Sequence, residues 1–126
     1  MLKIMLVDDD PLQLFLRKAI LEKRFSDVER VTGAAEALCQ VEQPQFARSL
    51  GLVITAHLLG GIGGPAFVAE LQTRMPSLPV LVLGDSIEEA ADYSGDHVYF
   101  LPRPVLPEEL VSVATQMLAQ DERKTA

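Results

Sequence analysis

Three consecutive carboxylates, Asp8, Asp9 and Asp10, follow the short apolar run Ile4 to Val7. Adjacent carboxylates repel and raise one another's pKa, so a pair held on a tight turn calls for a nearby cation. That cation is either a hard divalent ion such as Mg²⁺ or an arginine. Read without context, the run is equally a solvated turn whose Asp10 caps a helix. The remaining reactive groups are scattered: His57 directly after Ala56, Asp85 after Gly84, His97, Arg103 before Pro104, and the single thiol of Cys39. No nucleophile and base pair up, and no metal-ligand set closes, so an enzyme in the ordinary sense is not expected. The glycine-rich stretch HLLGGIGG at 57–64 lacks the Lys-Ser/Thr of a phosphate-cradling loop and reads as a structural turn.

Short β-like runs alternating with helical patterns must position these groups. Strands are expected at Lys3–Val7, Val28–Val31, Leu52–Thr55, Val80–Leu83 and Val98–Leu101. Between them, Pro11–Arg24 carries Leu12, Phe15, Leu16, Ala19 and Ile20 at helical spacing, with Asp10 as N-cap and Pro11 in the first turn. Further helices are expected over Ala34–Gln43, ended by Pro44, over Pro65–Arg74, weakly over Ser86–Tyr93, and from Pro107 to the charged tail. Strands alternating with helices imply a parallel sheet covered on both faces, with ligands at the carboxyl ends of the strands. Asp8, Asp9, Ala56, Gly84 and Arg103 all fall there.

Composition narrows the function classes. The 126 residues suit one domain, and 48% hydrophobic with 23% charged residues is ordinary for a folded protein. No apolar run approaches the ~18–20 residues of a membrane span. The start MLKIMLVDDD does not read as a secretory signal, and one cysteine builds no internal disulfide, so a cytoplasmic location is expected. Cys39 is expected to pack as a small apolar residue. With 18 acidic against 11 basic side chains the net charge is −7, which disfavours capture of nucleic acid or anionic membrane. A DNA-binding role would need an appended domain, which is not expected.

The segments VDDDP (Val7–Pro11), GLVITAHLLGGIGG (Gly51–Gly64), LPVLVLG (Leu78–Gly84) and FLPRPVLPEEL (Phe100–Leu110) together resemble the receiver domain of two-component response regulators. The resemblance covers nearly the whole chain. It implies an α/β, flavodoxin-like (CheY-like) doubly wound sheet of five parallel strands, order 2-1-3-4-5, with helices on both faces. The domain would span residues 1–120, with a charged tail at 121–126. It also implies phosphoryl transfer from a kinase histidine to an aspartate at the end of strand three, assisted by Mg²⁺, a hydroxyl and a lysine. Carried over by position, Asp8 and Asp9 match the acidic pair, with Asp9 as the direct metal ligand. The phospho-acceptor position falls on Ala56, the switch hydroxyl on Gly84, the lysine on Arg103 and the switch aromatic on Phe100. Arg103-Pro104 matches a step that is often cis in the family.

The departures carry the functional expectation. A methyl group has no lone pair, so Ala56 can neither attack phosphorus nor coordinate a metal. Asp9 is left as a weak or vestigial ligand, Mg²⁺ binding is expected to be weak, and no other cofactor is implied. Arg103 is expected to bridge Asp8 or Asp9 and neutralise the pocket. His57 reads as a surface or helix-packing residue ahead of a substitute phospho-acceptor. The expected function is a stand-alone pseudo-receiver that meets a histidine kinase or effector, or a second copy of itself. The face formed by Ser86–Tyr93, the fifth strand and the final helix would serve. Two alternatives stand beside it: an ordinary phosphorylatable receiver in which Ala56 replaces the acceptor Asp by laboratory substitution, and a flavodoxin-like binder of a small ligand such as a flavin phosphate.

Overall fold

The computed structural model describes residues 2–119. Among these, five strands form one sheet: β1 (Lys3–Val7), β2 (Val28–Val31), β3 (Leu50–Ala56), β4 (Val80–Gly84) and β5 (Val98–Pro102). All neighbours are parallel and the order is β2-β1-β3-β4-β5, as expected. The order reverses between β1 and β3, so the crevice opens where Asp8 and Ala56 emerge.

Side-chain alternation along the strands divides the core in two. Met5, Val7, Val53 and Val82 face α2 (Ala34–Val41) and α4 (Gly64–Arg74), where Ala37, Phe67 and Leu71 complete the packing. Ile4, Leu6, Ile54 and Leu83 face α1 (Pro11–Leu21) and α5 (Pro107–Ala119), meeting Leu14, Leu21, Leu110 and Ala114. Both faces of the sheet are covered, which is why its inner strands are apolar at nearly every position.

Three helical segments differ materially from the sequence expectation. The first helix stops at Leu21, where the chain turns and Phe25 tucks against the α1–α5 core instead of extending the helix to Arg24. Pro44 does not merely end α2. It occupies the first position of a further helix, α3 (Pro44–Ser49), a place where its missing N–H costs nothing. The weak helix expected at Ser86–Tyr93 is a 3₁₀ helix at Ile87–Asp92, begun by a reciprocal capping box between Ser86 and Glu89. None of its residues is fully buried, so no apolar face extends it into an α-helix.

The largest difference is the rotation of α1. Asp10 caps it as expected, its side chain accepting from the Leu12 N–H at 3.0 Å. The apolar stripe read from the sequence nevertheless faces outward: Leu12 and Phe15 are each 60% exposed and Leu16 is 45% exposed. The buried line is Leu14, Arg17 and Leu21. The tail expected at 121–126 lies outside the described residues.

Candidate functional site

Asp8 is the first residue past β1, and its backbone N–H still donates to Val31 on β2. The residue is 4% exposed. One carboxylate oxygen accepts from the Asp10 N–H at 3.0 Å, and the other takes a 2.7 Å charge-assisted bond from Arg17 Nη1. Arg17 sits one turn after Leu14 on the sheet-facing side of α1, so its guanidinium reaches back to the strand end. Burial raises the Asp8 carboxyl above its ordinary range, against the lowering effect of the Asp10 N–H and of Arg17. Burial likewise lowers Arg17, and repulsion from Arg103 adds to it. Both partners are penalised in their charged forms, the signature of an ion pair taken out of water faster than its partners compensate.

Asp9 points the other way. It is exposed, and its carboxylate accepts from the Gly60 N–H at 3.0 Å, tying the β1–α1 turn to the glycine loop after β3. Ala56 closes β3, is 5% exposed, and forms the floor of an open cleft of about 180 Å³ bounded by Asp8, Asp9, His57, Gly84 and Arg103. The structure therefore brings together the strand-end positions singled out from the sequence. Phe100 lies beside them on β5, half-buried and packed against the core.

The arginine that neutralises Asp8 is not the expected one. Arg103 is half exposed, and its Nε lies 3.3 Å from Asp85, reaching neither Asp8 nor Asp9. The physical reason is occupancy: Arg17 already holds the buried carboxylate, and two guanidiniums repel. The Arg103-Pro104 peptide is cis.

His57, next to Ala56, is largely buried. Its Nδ1 is 2.6 Å from the Tyr93 hydroxyl and its Nε2 is 3.6 Å from a Glu89 oxygen. The other Glu89 oxygen accepts from the Asp85 and Ser86 N–H groups at 2.8 and 3.4 Å. Those two hydrogen bonds lower the Glu89 carboxyl, the Asp85 one most. Burial raises the Tyr93 phenol, reinforced by the charges of Asp92 and Glu89. Cys39 is exposed on the outer side of α2 rather than packed, because Ala37 and Val41 take the buried positions. His97 contributes a backbone carbonyl to Val80, and among the described residues no cluster of three His, Cys, Asp or Glu could hold a metal.

Sequence reasoning missed Arg17, Tyr93 and Glu89. Arg17 carried a signal, a basic residue in line with Leu14 and Leu21 at helical spacing, nine residues after a carboxylate that needs a cation. Tyr93 carried none, since its approach to His57 depends on how the β4–β5 connection folds.

Comparison with known proteins supplies what the geometry alone does not. The family model for the response regulator receiver domain matches residues 4–115. Among solved structures, a response regulator receiver domain protein from Clostridium thermocellum is 21% identical, with a TM-score of 0.82 over 99% of this chain and 98% of that one. A CheY-like receiver domain protein from Methanospirillum hungatei JF-1 is 24% identical, with a TM-score of 0.81 over 98% and 99% of the two chains. At these identities the likeness speaks for the fold. A putative two-component system response regulator/GGDEF domain protein is 27% identical with a TM-score of 0.84, and 96% of this chain matches 50% of it. The search of curated proteins found no match. Since the family match runs unbroken from within β1 to well into α5, the chain belongs to the response regulator receiver domains.

Proposed function

We propose that this receiver works as a stand-alone, phosphorylation-independent module of a two-component system, transmitting its signal by protein contact. The observation that carries the reading is the make-up of the cleft: its floor is the Ala56 methyl, and the carboxylates beside it are already committed, Asp8 to Arg17 and Asp9 to Gly60. Nothing at position 56 has a lone pair to attack phosphorus. The residues do not fit Mg²⁺ either. A hard ion that demands several oxygen ligands meets a guanidinium on one carboxylate and a hydrocarbon where a third ligand would stand. His57 does not substitute as acceptor, because Tyr93 engages one ring nitrogen and Glu89 faces the other.

The partner in this reading is a histidine kinase, an effector or a second copy, met in the cytoplasm. Support for contact comes from side chains that serve no core: Ile87 and Tyr99 on the 3₁₀–β5 face, and the Leu12, Phe15, Leu16 stripe of α1. The small-ligand alternative loses ground, since about 180 Å³ is below the ~300–1,000 Å³ of typical small-molecule sites. The deciding experiment is intact-mass spectrometry after treatment with acetyl phosphate and Mg²⁺. No phosphoryl adduct is expected, whereas an adduct on any residue lining the cleft would end the proposal.

A further inference from the structure

The group next to the lost acceptor is engaged with the segment after β4 in a way that the family resemblance does not require. His57 is fixed at both ends of its backbone: its N–H donates to Leu83 on β4 at 2.9 Å, and its carbonyl accepts from Gly64 at the start of α4 at 3.0 Å. From that anchored position the imidazole crosses to the 3₁₀ segment, bonding the Tyr93 hydroxyl and facing Glu89. It meets the rings of Tyr93 and Phe100 edge-on, with centroids 5.6 and 6.4 Å away. Tyr93 and Phe100 are in turn 5.9 Å apart, so the three rings form one cluster over the ends of β3 and β4.

Two glycines make the cluster sterically possible. A Cβ on Gly64 would collide with the Tyr93 hydroxyl. A Cβ on Gly84 would overlap the ring of Phe100 and lie 2.5 Å from a Glu89 oxygen. The absence of a side chain at position 84 is thus more than the loss of a hydroxyl, because that space is filled by Phe100 and Glu89.

Hydrogen-bond chemistry assigns a direction to the chain of contacts. Glu89 as a carboxylate only accepts, and it takes the Asp85 and Ser86 N–H groups on one oxygen. In a neutral imidazole, the nitrogen facing its other oxygen across 3.6 Å is the one placed to bear the hydrogen, Nε2. Nδ1 is then left as the acceptor, and the Tyr93 O–H donates to it.

We propose that His57, Tyr93 and Glu89 form a side-chain latch that pins the 3₁₀ segment and Phe100 against the end of β3, so that the position of this segment is set from within the chain. The segment carries Ile87, which is exposed, and β5 carries exposed Tyr99, so the latch fixes the display of the face on which a partner would dock. It depends on these contacts and not on the phosphorylation reading. A phosphoryl adduct would overturn that reading and leave the latch standing.

Two measurements on the whole chain test it. Nitrogen-15 NMR of the His57 ring is expected to show a protonated Nε2 and a hydrogen-bonded, unprotonated Nδ1. The opposite tautomer would overturn the assignment. Amide hydrogen exchange is then compared for wild type, Tyr93→Phe, His57→Gln and the double variant. Loss of the bond is expected to speed exchange across 85–93 roughly five- to tenfold, with β1 and β3 unchanged, and the double variant should lose no more than either single one. Unchanged exchange at 85–93 in the folded Tyr93→Phe protein, or effects that simply add, would refute the latch. Tyr93→Phe removes one oxygen and keeps the ring, so the test does not rely on the more disruptive change at His57.

Discussion

Truncating Arg17 to alanine would leave the Asp8 carboxylate buried without its cation, and breaking a buried pair from one side costs about 3–5 kcal/mol. The double change Asp8→Asn, Arg17→Met removes both charges together and is expected to be at least as stable as wild type at pH 7. Urea denaturation of the two variants separates these outcomes. The direction of the Asp8 shift agrees: a carboxyl whose folded pKa lies above its unfolded 3.8 favours folding below that pH. That contribution is lost as pH climbs through the folded value, so the ionised Asp8 is a net burden at neutrality. The same residue decides what restoring the acceptor would achieve. Ala56→Asp alone is expected to leave Mg²⁺ binding weak, and Ala56→Asp with Arg17→Met to bind it about tenfold tighter, read by calorimetric titration. Equal affinities would show that Arg17 does not guard the pocket. That Ala56 has no lone pair to offer is plain in the sequence because it rests on the chemistry of one residue. The identity of the neutralising arginine is not, because it depends on which face of α1 meets the sheet.

At the scale of elements, the segment between β4 and β5 is where charge and packing meet. Burial, with Asp92 and Glu89 close by, holds the Tyr93 phenol protonated well above its ordinary 10.0. A group with a raised folded pKa contributes fully below its unfolded value, so this contribution persists to pH 10 and is lost as pH rises beyond it. Wild type should therefore lose stability above pH 10 more steeply than Tyr93→Phe, whose residue 93 does not titrate. Parallel slopes in thermal melts would contradict this. Gly84→Ser is expected to cost about 1–3 kcal/mol, because the new side chain must displace Phe100 and Glu89 from a filled space. The strands were legible as apolar runs, and α5 as an apolar stripe behind an acidic first turn. The 3₁₀ helix was not, since Ile87–Asp92 buries no residue fully and is organised by the Ser86–Glu89 capping box. Nor was α3, whose opening proline signals the end of one helix as readily as the start of another.

Across the whole molecule, the doubly wound architecture follows from the alternation of apolar runs and helical patterns, and the sheet order from the family resemblance. What the sequence pattern misplaced was a surface. Leu12, Phe15 and Leu16 satisfy the periodicity of a core-facing helix, yet the charge requirement of Asp8 turns Arg17 inward and leaves that stripe in water. Phe15→Glu is accordingly expected to shift stability by no more than about 0.5 kcal/mol. If the stripe serves the proposed contact, the same change should weaken binding to a co-purified kinase or effector by at least about tenfold, which interferometry would measure. Full binding by a folded Phe15→Glu protein would move the contact to the face bearing Ile87 and Tyr99.

The filled space above Gly84 also has a bearing on descent. Under the proposed function, an aspartate at position 56 would not by itself rebuild the pocket, since a hydroxyl at position 84 has no room until Phe100 and Glu89 have moved. On that reading the crevice acts as a ratchet: a side chain at position 84 waits on changes at two other positions.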